Sequence, residues 1–392
     1  MAAWMVSLLC ALGALGVAWL LVSALFSAVV GKRWRRAKHR PEDSARFIMD
    51  QLQTTLLWRA GYGHFLSVEA LADISLGSTT DSGLTASWLY PAHWSEEGGR
   101  AGPLSLAGLA GVLDVVSTLD IVHADGTHRP GVSVQLTLRL TPQGEAKRIA
   151  AGGRVVLKCG ASKLGATLGF SELAVLDDDG ALLAVGTHVK YLPPSGFGIG
   201  PIWQTLMHPW VLPLFYGRCF PRWRDWMDKR LERVHGKQLA RPPPRPEQLV
   251  RLQQPTAVAR AALRSSLLQS SALCGKTDQR EDASVHLVAL GPQHANPGGF
   301  VHGGALALAA AASGAKDQQD RSRSSASRGS GGAKTLVGID VSYLGAVPAP
   351  TKLDTGKQLL LSSTSIAGGS SSAVRAFAGS QCVATVGLEW SQ

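Results

Sequence analysis

The stretch Asn296-Pro297-Gly298-Gly299-Phe300-Val301-His302-Gly303-Gly304, running into Ala305-Leu306-Ala307-Leu308-Ala309-Ala310-Ala311-Ala312, decides how the chain is read. Its proline and glycines make a turn. The run of small apolar residues over 303–315 predicts a helix with no polar face, which must therefore be buried. Working outward, residues 283–290 read as a strand before the helix, and 336–344, 357–365, 373–377 and 382–390 read as strands after it. The same order occurs earlier in the chain. Residues 72–94 alternate like a strand hairpin, and 104–122 are apolar almost all round. Strand-like runs follow at 131–140, 154–159, 166–176 and 182–192. Even the endings match, Leu182-Leu-Ala-Val-Gly-Thr-His-Val-Lys-Tyr-Leu192 against Gln381-Cys-Val-Ala-Thr-Val-Gly-Leu-Glu-Trp390. A duplicated domain is the reading.

The chain of 392 residues is long enough for two such units, and with 45% hydrophobic and 17% charged residues it has the composition of an ordered protein. Of the formal net charge of +11, six positive charges lie in Lys32, Arg33, Arg35, Arg36, Lys38 and Arg40, leaving +5 for the rest, so nucleic acid is not expected as a partner. Residues 2–30 carry no charged side chain, more than the ~20 residues a membrane-spanning helix needs, and there is no basic segment before them as in a signal peptide. The expectation is a single-pass anchor over 1–31, with the following basic cluster keeping the remainder on the cytoplasmic side. Five scattered cysteines without a C-x-x-C pair indicate reduced thiols and no structural zinc.

The domain reading is an anchor (1–31), a basic juxtamembrane segment with a helix (32–70), a first domain (71–195), a linker (196–280) and a second domain (281–392). The linker carries Trp203, Trp210, Trp223 and Trp226 and the run Arg241-Pro-Pro-Pro-Arg-Pro246. A low-complexity insertion, expected to be a disordered loop, occupies 316–334 of the second domain.

The segment from Asn296 to Gly304 resembles the signature of the small hotdog-fold acyl-CoA thioesterases, in which an Asn lies six residues before a His-Gly-Gly that opens the central helix. That family has an acid nine residues after the His and a Ser in the next strand. Here the second copy has Ala311 and Asp340 at those two places. In the first copy Gly99 and Ser105 stand at the Asn and His places, but Asp114 lies nine after Ser105, and Gly131-Val132-Ser133-Val134 supplies the Ser. Nine helical residues rise ~13.5 Å, so a His and an acid on one helix cannot serve one reacting group. The resemblance implies a site shared between two units, and one such site here keeps every part.

What it implies is an α+β protein of two hotdog domains, each an antiparallel sheet wrapped around a central helix, forming an intramolecular pseudo-dimer. The implied reaction is acyl-CoA thioester hydrolysis with no cofactor beyond the CoA of the substrate. In it, the Gly303 N–H stabilises the carbonyl oxygen. Asp114 acts as general base or nucleophile, Ser133 orients water or Asp114, and Asn296 with His302 fixes the carbonyl or the water. Structural readings stand beside these: a surface Asp114, a helix-start His302 bonded to its own backbone, a plain strand Ser133 and a turn Asn296. Two other functions stay open, a hotdog hydratase or dehydratase and an inactive acyl-binding scaffold. Acyl chain length and further pairing of the fused unit are also left open.

Overall fold

The computed structural model describes residues 62–192, 229 and 243–391, except 68–70, 77–82, 96–98, 126–128, 130, 244, 256–283, 297–299, 325–333, 349–357, 367–369 and 380. The expected anchor, the basic cluster and the tryptophan-rich part of the linker lie outside these residues.

Helix α1 (Tyr62–Leu66) and strands β1 (Leu71–Leu76) and β2 (Leu84–Leu89) precede the first long helix, α2 (Leu106–Ala124). Then come β3 (Gly102–Pro103, just before α2), β4 (Val132–Leu140), α3 (Pro142–Ala146), β5 (Arg148–Ile149), β6 (Arg154–Leu164), β7 (Leu168–Asp177) and β8 (Leu182–Tyr191). The remainder holds α4 (Pro246–Leu249), β9 (Leu252–Gln253), β10 (Ser284–Ala289), α5 (Gly303–Ser324), β11 (Leu336–Tyr343), β12 (Gln358–Ser365), β13 (Ser371–Ala378) and β14 (Gln381–Trp390). The β7–β8 turn shows the local logic. Asp177 Oδ1 accepts the N–H groups of Asp179 and Ala181, and Gly180 takes the positive φ of 80° that closes it.

Twelve strands form one sheet in the order β1-β2-β6-β7-β8-β4-β11-β14-β13-β12-β10-β9. The order reads symmetrically about the antiparallel β4–β11 seam, where Leu138 pairs with Ile339 and Leu136 with Val341. α2 packs on β2, β4, β6 and β7, and α5 on β10 and β11 to β14. One hydrophobic core contains both helices. Leu109, Leu113 and Ile121 of α2 are fully buried, each contributing roughly 1.5–3 kcal/mol. Among the described residues α2 is the one helix long and apolar enough to cross a membrane, and it lies inside this core.

The helices touch at glycines. A Cβ on Gly304 would lie 2.4 Å from Gly111 Cα, so the α2 backbone leaves no room for a side chain at 304, while a Cβ on Gly111 would stand 2.9 Å from Leu66 Cδ2 of α1.

Three expectations are corrected. The helix expected to end at 315 continues to Ser324, because Lys316–Asp320 and Asp317–Arg321 ion pairs at i,i+4 spacing extend it through residues expected to form a loop. The linker is not featureless: α4 buries Leu249, and β9 pairs with β10 as the outermost strand of the second half. The first core begins before residue 71, since Tyr62, Phe65 and Leu66 of α1 are fully buried.

Candidate active site

Asp114 sits mid-way along α2, facing inward and 6% exposed. An ionised carboxylate at such a place needs donors. Ser133, on β4, donates to its Oδ1 at 2.7 Å. From β8, His188 Nε2 lies 3.3 Å and Lys190 Nζ 3.8 Å from the same oxygen. On the opposite side, His302 Nε2 of the second half lies 3.6 Å from Oδ2. Burial pushes the carboxyl up, but Lys190, His302, His188 and the Ser133 hydroxyl together overcome it and hold the group at about 2.

His302 is fixed by the helix it starts. Its carbonyl accepts from Ala305 and Leu306, and its Nδ1 accepts the Gly304 N–H at 2.9 Å, the position a capping oxygen usually fills. With Nδ1 an acceptor, Nε2 carries the proton and points it at Asp114. The ring stacks on Tyr62 of α1, centroids 4.8 Å apart. Burial lowers the imidazole, against the pull of Asp114 and with Lys190 adding to the lowering, so the neutral ring is the working form. Gly303, as the first residue of α5, has an N–H with no acceptor inside the helix. Tyr343 of β11 lies over it so closely that a Gly303 Cβ would stand 2.8 Å from the phenol oxygen. The buried hydroxyls of Tyr62 and Tyr343 find no hydrogen-bond partner among the described residues.

Four of the expected residues, Asp114, Ser133, His302 and Gly303, therefore meet where α2, β4 and the start of α5 converge. Asn296 is engaged differently: its Oδ1 accepts the Phe300 N–H at 3.1 Å and shapes the turn before α5. The sequence reading missed His188, Lys190, Tyr62 and Tyr343. For the β8 pair a signal existed, because His188 and Lys190 sit two apart on the buried face of a strand, an unusual place for a lysine.

The counterpart positions are built otherwise. Ser105 caps α2 by accepting the Gly108 N–H at 3.3 Å, its own N–H donates to Tyr90 Oη at 3.0 Å, and the Trp94 ring fills the space over Gly108. Ala311 is a buried methyl, and Asp340 Oδ1 accepts from Gln135 at 3.2 Å. Six residues beyond Asp114, Asp120 is also buried but has no ion-pair partner among the described residues. Burial raises it to about 6, against a 3.0 Å hydrogen bond from Ser171.

A sheet wrapped on two long helices, with the start of α5 meeting the buried acid of α2, defines the architecture. The chain has a hotdog-like α+β fold. Thioesterases are among the solved structures similar to it. Zebrafish thioesterase superfamily member 2 shares 19% identity, over 37% of this chain and 93% of that one, with a TM-score of 0.30. An acyl-ACP thioesterase from Bacteroides thetaiotaomicron shares 10%, over 80% and 100%, with a TM-score of 0.44. The 12:0-ACP thioesterase from Umbellularia californica shares 11%, over 79% and 97%, with a TM-score of 0.41. No protein-family model and no curated protein matches the chain. Among the described residues no cluster of His, Cys, Asp and Glu is arranged to hold a metal ion.

Proposed function

We propose that the chain hydrolyses acyl-CoA thioesters at one composite site, its two halves acting as an intramolecular pseudo-dimer of hotdog units. One observation carries this reading: the Asp114 carboxylate of one half meets His302 of the other at 3.6 Å while Ser133 donates to it at 2.7 Å. The thioester carbonyl oxygen takes the Gly303 N–H, where the positive end of α5 favours the charge that develops on attack. A water attacks the carbonyl carbon and gives its proton to Asp114. The tetrahedral intermediate then expels the CoA thiolate, which recovers that proton, leaving acid and thiol. The weak basicity that its donors impose on Asp114 makes orientation of the water by Ser133 part of the work. Direct attack by the carboxylate, through an acyl anhydride, is the second route through the same groups.

Product analysis with saturated and enoyl thioesters tests the reading. Release of free thiol and fatty acid supports it, a hydrated acyl-CoA with no thiol release replaces it with hydratase chemistry, and binding without turnover replaces it with a scaffold. We further propose that residues 1–31 anchor the catalytic halves to a membrane on its cytoplasmic side, which retention in the pellet after alkaline carbonate washing tests.

A further inference from the structure

Lys190 is 4% exposed, on the inward face of β8, and its ammonium is distributed over three oxygens. It donates to Thr118 Oγ1 at 2.6 Å and to Ser133 Oγ at 3.3 Å, and lies 3.8 Å from Asp114 Oδ1. Thr118 is one helical turn beyond Asp114 on α2, so the lysine ties helix, acid and the neighbouring strand together at one point. We infer that Lys190 is a positioning residue for the hydrolysis proposed above, holding Asp114 ionised and the Ser133 hydroxyl turned to donate to it. The inference rests on that reading of the site.

The other groups facing Asp114 cannot substitute. His188 is fully buried, its Nδ1 is 2.6 Å from Ser117 Oγ, and its Nε2 makes no hydrogen bond among the described residues. Burial, with Lys190 beside it, holds that imidazole neutral, at about 3, against the pull of Asp114. His302 is neutral for the reasons given. Tyr62 and Tyr343 are raised by burial and by Asp114 itself, so they stay protonated. Burial lowers Lys190 too, against Asp114, but it is the one group of the cluster whose usual form is a cation. Removing it leaves a buried carboxylate without a counter-charge, and such a group takes up a proton instead. A protonated Asp114 cannot accept the proton of water.

The test uses the full chain in detergent, with Lys190→Met, Lys190→Gln and Lys190→Arg. Asp114 is titrated by the infrared stretch of its protonated carboxyl, identified by its loss in Asp114→Asn, and kcat and KM are followed against pH. In Lys190→Met and Lys190→Gln the carboxyl titration and the acid limb of kcat should both move up by at least about one pH unit, with KM changed less than about threefold. Lys190→Arg, which keeps the charge, should restore most of the original profile. A folded Lys190→Met or Lys190→Gln protein with an unmoved Asp114 titration overturns the inference. If neither uncharged variant folds, the pair Lys190→Met/Asp114→Asn decides: recovery of folding supports the role, since no unpaired charge remains, and continued misfolding overturns it. The carboxyl titration needs no turnover. A wild-type chain that hydrolyses no thioester sinks the thioesterase reading, whereas hydrolysis with an unmoved titration sinks the role of Lys190 alone.

Discussion

The two long helices start in different surroundings. At the start of α5, His302 caps the helix with a ring nitrogen, Tyr343 lies over Gly303, and Asp114 of the other half stands 3.6 Å away. At the start of α2 the cap is a serine hydroxyl, and the space beyond it is filled by Tyr90 and Trp94, the latter in edge contact with Trp88. One start is surrounded by ionisable groups and by tyrosines whose hydroxyls have no partner among the described residues, the other by tryptophan and tyrosine rings. Under the proposed function, the same backbone plan serves chemistry at one place and packing at its counterpart. In the proposed pseudo-dimer made from one chain, each residue occurs once and can specialise.

The largest effect that would sharpen the contrast is at Asp114. Asp114→Asn should keep the fold, because the carboxamide oxygen still accepts from Ser133, yet lower kcat by about 100-fold or more. Hydrolysis near the wild-type rate in a folded Asp114→Asn protein, judged by circular dichroism, would remove the acid from the mechanism. Next comes coupling across the helix crossing. His302→Ala should also impair turnover, and its combination with Asp114→Asn should be little worse than the poorer single variant, because the two act as a unit. Full additivity would break the claim that the halves share a site, as would titration of an unhydrolysable acyl-CoA analogue to two per chain.

Asp120 offers a comparison within α2. Its folded-state pKa of about 6 lies above the usual 3.8, so the native protein holds a proton there that the unfolded chain has already released. Stability is therefore lost as pH rises between about 4 and 6. Asp120→Asn should stabilise by on the order of 2 kcal/mol at about pH 7 and hardly at all near pH 4, read from urea unfolding at both. Asp114 has the opposite sign: depressed to about 2, it contributes stability above the unfolded value that is lost as pH falls toward 2. The smallest effect is at the aromatic end. Ser105→Ala should lower stability by about 1 kcal/mol through loss of the cap while hydrolysis stays within about twofold, and a drop in turnover beyond that would mean that this end is not purely structural.

Most of the strand and helix order was legible because period-two and all-round apolar patterns are local, as in 182–191 and 106–124. The pairing of Asp114 with His302 was legible only through spacing and resemblance, since no local pattern states which helices cross. Lys190 and His188 were missed because alternation was read as a strand signal and not asked which side chains it turned inward. α1 and β9 were missed for want of length: five and two residues are too short to show a period. The end of α5 was misplaced because a polar, Ser- and Gln-containing sequence reads as loop until the i,i+4 charges in it are paired.

The β4–β11 seam bears on how the protein is made. β4 has β8 on one side, and its other edge is covered by a strand that lies about 200 residues later in the chain. At ribosomal speeds of roughly 5–20 residues per second, that edge stays open for about 10–40 s after β4 itself is made. An open edge of nine residues is a template for pairing with any neighbouring chain. The exposed Val132 and Val134 at its start do nothing to discourage this. Joining both halves in one chain removes the concentration dependence of finding a partner, but it adds a waiting time, during which the β4 edge is uncovered until its own chain arrives.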